Sequence, residues 1–235
     1  MYPLGERAVT VRWSAEMNRE ANQRALALLK HLENEPFTGY VEAVPAYTSL
    51  TVYYDPILVY RKTKQSPYTA VCQWLKSRIE ALPTVSVPPS RKVEIPVCYD
   101  PEFAPDLSFV AAHNGLTEEE VIELHTAPTY HVTMIGFVPG FPYLEGMDER
   151  ISTPRKHTPR SAVAPGSVGI GGKQTGVYPL EIPGGWQIIG RTPLKLFDPH
   201  ATPPTFLRAG DQVIFRRIEK MEYDEICKEQ KGSPK

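Results

Sequence analysis

Apolar positions along the first 82 residues switch between two spacings, and each switch predicts an element. Val9 and Val11 share one face of a strand over residues 8–13. Met17, Ala21, Ala25, Leu28, Leu29 and Leu32 recur at steps of three and four, which predicts a helix from a Ser14 N-cap to about Asn34. Residues 40–44 and 49–54 read as two strands, the second stopped by Asp55-Pro56 because proline donates nothing to a ladder. Ser66-Pro67 opens a second helix with proline at its first position, and Val71, Trp74, Leu75, Arg78, Ile79 and Leu82 keep helical spacing after it. The order βαββα predicts a small α+β domain over residues 1–85, ferredoxin-like in arrangement.

Residues 82–90 hold three prolines and read as an extended linker. A second domain, residues 90–235, opens with a strand at 92–97. Two short helices follow. The first, over 106–113, stops at Asn114-Gly115. The second starts at Thr117 with Glu120 three residues on, a capping box, and reaches about Thr126. Beyond it the period drops to two. Tyr130, Val132 and Met134 alternate with His131, Thr133 and Ile135. Further short strands are predicted at 167–170, 177–180, 186–189 and 212–218, each bounded by glycine or proline. That spacing predicts a closed, mainly-β barrel, with a charged helical tail from Glu219.

Composition tests that reading. The chain has 24 prolines in 235 residues, about twice the usual share. From Gly136 to Pro204 a third of the positions are glycine or proline, a density that elsewhere signals disorder. The same stretch carries Phe137, Phe141, Tyr143, Tyr178, Trp186 and Phe197, and disordered segments are poor in aromatics. The prolines therefore read as punctuation of a packed barrel.

Charge and cysteine content narrow the function. A net charge of -1 argues against binding nucleic acid through phosphates. No apolar run is long enough to span a membrane, and residues 1–11 lack a secretory h-region. Three scattered cysteines, Cys72, Cys98 and Cys227, fit reduced thiols and a cytoplasmic protein. The six histidines show no metal-binding spacing, so no metal site is expected. The run Gly166-Ser-Val-Gly-Ile-Gly-Gly-Lys173 does not fit a standard nucleotide loop, since Ser167 stands where its first glycine belongs and Gln174 where a Ser or Thr should follow the lysine. Its glycines read as turns and close backbone approaches, or as a nest of amides for a phosphate.

Three features carry candidate chemistry. Gly136-Phe-Val-Pro-Gly-Phe-Pro-Tyr-Leu144 is a stiff aromatic loop, either a barrel plug or a binding platform. Arg155, Arg160 and Arg191 each sit beside or near proline in a loop, a setting suited to clamping carboxylate or phosphate. His125 closes a helix just before the β region, as a cap or as a ligand or proton carrier.

The same segments, with Thr153-Pro-Arg155, Gln174-Thr-Gly-Val-Tyr-Pro179, Pro183-Gly-Gly-Trp186, Gly190-Arg-Thr-Pro193 and Ala209-Gly-Asp211, resemble the allophanate hydrolase subunit 1 family over most of the chain. One motif departs from it: Val163-Ala-Pro-Gly166 stands where the family usually has Val-Pro-Ala-Gly. The resemblance implies a cyclophilin-like barrel. It also implies the role of the B-type subunit in an ATP-dependent 5-oxoprolinase. With partner A- and C-type subunits, and with ATP and magnesium, that complex opens 5-oxoproline to glutamate, and the chain alone is expected to be inactive. An alternative within the same family is an inhibitor that docks on a sporulation sensor histidine kinase. The site residues implied are His125, Arg155, Arg160 and Arg191 for catalysis. Phe137, Phe141, Tyr143, Gln174, Tyr178 and Trp186 would bind substrate.

Overall fold

The computed structural model describes residues 1–16, 18–82 and 91–232, and the chain forms two compact units, Met1–Pro89 and Ser90–Lys235. Residues 83–90 of the predicted 82–90 linker and the predicted helical contact Met17 lie outside the described residues.

The first unit contains β1 (Tyr2–Pro3), β2 (Ala8–Arg12), α1 (Arg19–Asn34), β3 (Tyr40–Pro45), β4 (Ser49–Tyr54), α2 (Pro56–Thr63) and α3 (Pro67–Ala81). Its four strands form an antiparallel sheet in the order β1-β2-β4-β3. β4 buries every second residue, which sets Leu50, Val52 and Tyr54 against Ala25, Leu28 and Leu32 of α1 and Val71 and Leu75 of α3.

Two expectations here are corrected. The first helix does not start at Ser14. The Arg12 side chain donates to the Ser14 and Ala15 carbonyls, holding them in a turn, and the helix begins after Asn18, whose side chain accepts from the Ala21 N–H. Asp55-Pro56 ends a strand as expected but also starts a helix. Asp55 Oδ1 accepts from the N–H groups of Ile57 and Leu58, which makes it the N-cap of α2.

The second unit contains β5 (Lys92–Cys98), α4 (Leu107–Asn114), α5 (Glu118–Thr126), β6 (Tyr130–Ile135), β7 (Pro142–Glu145), a short 3-10 turn (Glu149–Ile151), β8 (Arg160–Val163), β9 (Ser167–Gly171), β10 (Gln174–Val177), β11 (Ile182–Gly184), β12 (Gln187–Arg191), β13 (Gln212–Ile218) and α6 (Lys220–Gly232). Seven strands close into a barrel in the order β10-β7-β6-β13-β5-β12-β9. β13 runs parallel to β5 along its full length, and the other pairs are antiparallel. β8 and β11 form a separate two-stranded ladder.

The caps read from sequence hold. Gly115 adopts φ 68 after α4, and Thr117 and Glu120 close the capping box of α5 in both directions. The predicted strand at 177–180 is displaced. The ladder with β9 ends at Val177, and Tyr178 lies past the end of the strand. Strands β7, β8 and β11 have three or four residues each, too short to show a period. The barrel core is aliphatic and aromatic, with Val93, Ile95, Val97, Val132, Leu144, Val168, Ile170, Ile189 and Phe215 among its buried residues. No helix among the described residues is long and apolar enough to cross a membrane.

Candidate functional site: an aromatic cleft with a cationic edge

A second, smaller aromatic cluster lies outside the main core. Phe141 is its centre. Its ring makes edge contacts with Phe137 at 5.8 Å, Tyr143 at 5.1 Å, Tyr178 at 5.4 Å and Trp186 at 5.4 Å between centroids. Such pairs add roughly 0.5–1.5 kcal/mol each beyond area burial and fix ring orientation.

Glycines let these rings seat against the backbone. A Cβ on Gly171 would lie 2.5 Å from Trp186 Nε1, and one on Gly184 would lie 2.5 Å from the Tyr178 hydroxyl. Both positions exclude any side chain. The glycine density read from the sequence therefore has a packing cause at this site.

The loop between β6 and β7 supplies Phe137. Gly136 N–H donates to the Phe141 carbonyl and Phe141 N–H to the Val138 carbonyl, which closes a tight turn around Pro139. The turn forces Phe137 to φ 72, a left-handed conformation that bulky residues resist, and leaves its side chain 68% exposed. An exposed aromatic residue held in a strained backbone makes this loop a candidate binding surface.

The opposite edge is the proline-arginine loop. Lys156 N–H donates to the Gly185 carbonyl at 2.6 Å, and Gln187 Nε2 donates to the Pro154 carbonyl at 2.9 Å. These bonds strap residues 154–156 beside Trp186. The Arg155 guanidinium lies over the Trp186 ring at 5.8 Å. Together Phe137, Phe141, Tyr143, Arg155, Lys156, Pro159, Tyr178, Gly185 and Trp186 line a cavity of about 180 Å³. That is the scale of a small metabolite.

Asp106 organises the positive side. Its carboxylate is buried and accepts from Lys156 Nζ at 3.0 Å, Arg160 Nη2 at 2.8 Å and the Ile188 N–H at 2.7 Å. Burial pushes the Asp106 carboxyl up, but these three donors outweigh it and hold the group below the usual carboxylate range. The commitment explains an oddity of α4: Asp106 stands at its N-cap position and makes no capping bond. Arg155 has no ion pair and no hydrogen-bond acceptor among the described residues. Burial raises the Tyr178 hydroxyl above its ordinary value, against the opposing pull of the Trp186 N–H and of Arg155 and Arg160. It therefore stays protonated at neutral pH.

Six of the ten residues expected from sequence meet in this cleft: Phe137, Phe141, Tyr143, Arg155, Tyr178 and Trp186. Arg160 stands behind it through Asp106. Arg191 does not line it, and its Nε donates to the Pro165 carbonyl at 2.9 Å. Gln174 lies on β10, paired across the ladder with Gly171, also off the cleft.

His125 is placed differently from the expected proton carrier. It is fully buried inside the barrel, stacked on Phe215 at 4.6 Å, with Nδ1 2.8 Å from Tyr99 Oη and Nε2 2.9 Å from Thr175 Oγ1. Burial pushes its pKa down to about 3, so the ring is neutral.

Sequence reasoning passed over Asp106, read only as a helix start, and Lys156, which stands next to Arg155. The signal for Lys156 was present, as a third cation in the same proline-bounded loop. Asp106 lies about fifty residues upstream, and only the fold brings it there.

The site is thus an aromatic cleft with a cationic rim on a closed barrel. The chain belongs to the family described as carboxyltransferase domain, subdomain C and D, whose profile matches residues 1–207. Among curated relatives, the B subunit of 5-oxoprolinase from Bacillus subtilis (strain 168) is 49% identical over 94% of this chain and 93% of its own length. The corresponding 5-oxoprolinase B subunit of Escherichia coli O157:H7 is 44% identical over 91% of this chain and 94% of its own. Among solved structures, TTHA0988 superposes with a TM-score of 0.78 at 40% identity, over 91% of this chain but only 40% of that longer one. The Kluyveromyces lactis urea carboxylase shares the fold, with a TM-score of 0.72 at 20% identity over 95% of this chain and 22% of that one.

Proposed function

We propose that this chain is the B-type subunit of an ATP-dependent 5-oxoprolinase, acting with A- and C-type subunits and inactive alone. The carrying observation is the near full-length match to the B subunit of that enzyme, at 49% identity with 93% of the relative covered. In this reading the α+β unit is ferredoxin-like and the barrel cyclophilin-like. The protein works in the cytoplasm.

The chemistry gives the cleft a task. A lactam amide is a poor electrophile. Transfer of the ATP γ-phosphoryl group to the lactam carbonyl oxygen converts that oxygen into a leaving group and releases ADP. Water then adds to the ring carbon, the ring C–N bond breaks as the nitrogen takes up a proton, and a second water hydrolyses the resulting acyl phosphate to glutamate and phosphate. Negative charge grows at the carbonyl oxygen and phosphate during these steps, and fixed positive donors lower their barriers. In this reading Lys156, which lines the cleft, and Arg160 behind it, both bonded to Asp106, supply that positive charge. Among the described residues no cluster of three or more acidic, His or Cys side chains is positioned to hold a metal. His125, Gln174 and Arg191 are given no role in the cleft.

The test is co-expression with A- and C-type subunits and an assay of glutamate release. ATP-dependent glutamate from the full set, and none when any subunit is omitted, is the expected result. No glutamate from the full set, together with inhibition of a sensor kinase's autophosphorylation by this chain, would replace this reading with the kinase-inhibitor alternative.

A further inference from the structure

We infer that the cleft selects a small flat ring bearing a carboxylate, and that Arg155 is the residue that reads that carboxylate. The inference rests on the proposed function for the identity of the ring, a five-membered lactam, and on geometry for everything else.

Two cations line the cleft, Arg155 and Lys156, with Arg160 behind them, and they are not equivalent. Lys156 and Arg160 share the buried Asp106 carboxylate, which also takes the Ile188 N–H. Their charge is partly met and their positions are fixed. Arg155 has neither ion pair nor acceptor among the described residues, and its guanidinium lies over the Trp186 ring. Guanidinium groups stack on aromatic faces while their N–H donors stay in the plane of the group, free for a bidentate carboxylate. The three cations and one carboxylate leave the cleft positive, so an incoming anion is attracted without displacing any existing partner.

The rest of the lining fixes what carries the carboxylate. Phe141 and Trp186 are buried, and Phe137 stands exposed at the rim in its left-handed turn. The exposed Phe137 ring offers a face that suits a flat ring. The protonated Tyr178 hydroxyl, flanked by Arg155 and Arg160, adds a neutral donor for a ring carbonyl. A cavity of about 180 Å³ is on the scale of a small cyclic acid. A phosphate group could also use Arg155, so the test separates the two oxyanions.

The full chain is titrated by calorimetry with 5-oxo-L-proline, with 2-pyrrolidinone (the same ring without the carboxylate), with inorganic phosphate and with ATP. The assembled complex is assayed in parallel. We expect 5-oxoproline to bind at least tenfold tighter than 2-pyrrolidinone. Arg155→Ala should abolish that preference and raise KM for 5-oxoproline at least tenfold with a smaller change in kcat, and Arg155→Lys should restore part of it. Equal binding of the two rings, an unchanged KM in Arg155→Ala, or Arg155-dependent binding of phosphate or ATP in place of 5-oxoproline overturns the inference. The two readings fail separately. Selective 5-oxoproline binding without glutamate release from the complex sinks the subunit assignment and leaves the carboxylate site standing. Glutamate release with a KM indifferent to Arg155 does the reverse.

Discussion

Nε2 of His125 lies 2.9 Å from Oγ1 of Thr175, and both side chains are wholly buried in the barrel. The Thr175 hydroxyl donates to the Gly169 carbonyl at 3.0 Å, so it accepts from His125, whose proton must be on Nε2. Nδ1 then accepts from the Tyr99 hydroxyl at 2.8 Å, and the Tyr130 hydroxyl donates to the His125 carbonyl. Donor and acceptor roles agree along the whole chain of bonds. They tie α5 to β9 and β10, the strands on which Trp186 rests through Gly169, Gly171 and Gly176.

This histidine makes the barrel acid-sensitive. Its pKa is about 3 when folded, against an ordinary value of 6.5. Between these values the unfolded chain binds a proton that the folded chain refuses, so stability is lost as pH falls. The slope is about 1.4 kcal/mol per pH unit from this group in that window, and it vanishes above about pH 6.5. Chemical denaturation from pH 7 to 4 measures it. A His125→Gln variant should be less stable at pH 7 and should show a shallower slope. An equal slope in the variant would assign the acid sensitivity elsewhere.

Gly171→Ala tests the seat of Trp186. The added Cβ would sit 2.5–2.6 Å from three indole atoms, so the ring must move. Overpacking of this kind costs about 1–3 kcal/mol. Denaturation midpoints should fall accordingly, and 5-oxoproline binding should weaken because Arg155 lies over the displaced ring. A variant with wild-type stability would mean that the indole has room that this geometry denies it.

Asp106→Asn removes the carboxylate that Lys156, Arg160 and the Ile188 N–H share. The side chains of Lys156 and Arg160 are about a third exposed, so water takes up part of the loss, and about 1–3 kcal/mol of destabilisation is expected. The folded-state carboxyl sits below its ordinary value, so the stabilisation it contributes is present above about pH 4 and lost on further acidification. The difference between wild type and variant should therefore shrink below pH 4, as read by thermal denaturation. A difference constant down to pH 2 would contradict the charge-based account.

Phe137→Asn separates stability from binding. Asparagine tolerates the left-handed backbone that phenylalanine resists, and little buried surface is lost from a residue 68% exposed. Stability should hold, or rise by up to about 1 kcal/mol, while 5-oxoproline affinity falls. A fall in stability of several kcal/mol would show that Phe137 is a core residue and not a surface held ready for a ligand.

Much of this protein was determined locally. The βα alternation before residue 82, the Gly115 C-cap, the Thr117–Glu120 capping box and the strands of six or seven residues follow from short-range periodicity and capping chemistry. The aromatic and arginine loops were visible as composition, because stiff rings and fixed cations between prolines are unusual in any context. What the tertiary structure decided is which of those residues share a cavity and which charges remain unmet. β7, β8 and β11 are too short to carry a period and form only because the barrel and its flanking ladder supply partners. His125 turned from a candidate at a helix end into a neutral buried link, because burial depends on what closes over a residue. Asp106 neutralises part of a loop about fifty residues away, and so distinguishes Arg155 from its neighbours. Charge pairing between distant segments is a property of the closed barrel, since no local pattern records which cation a carboxylate will meet.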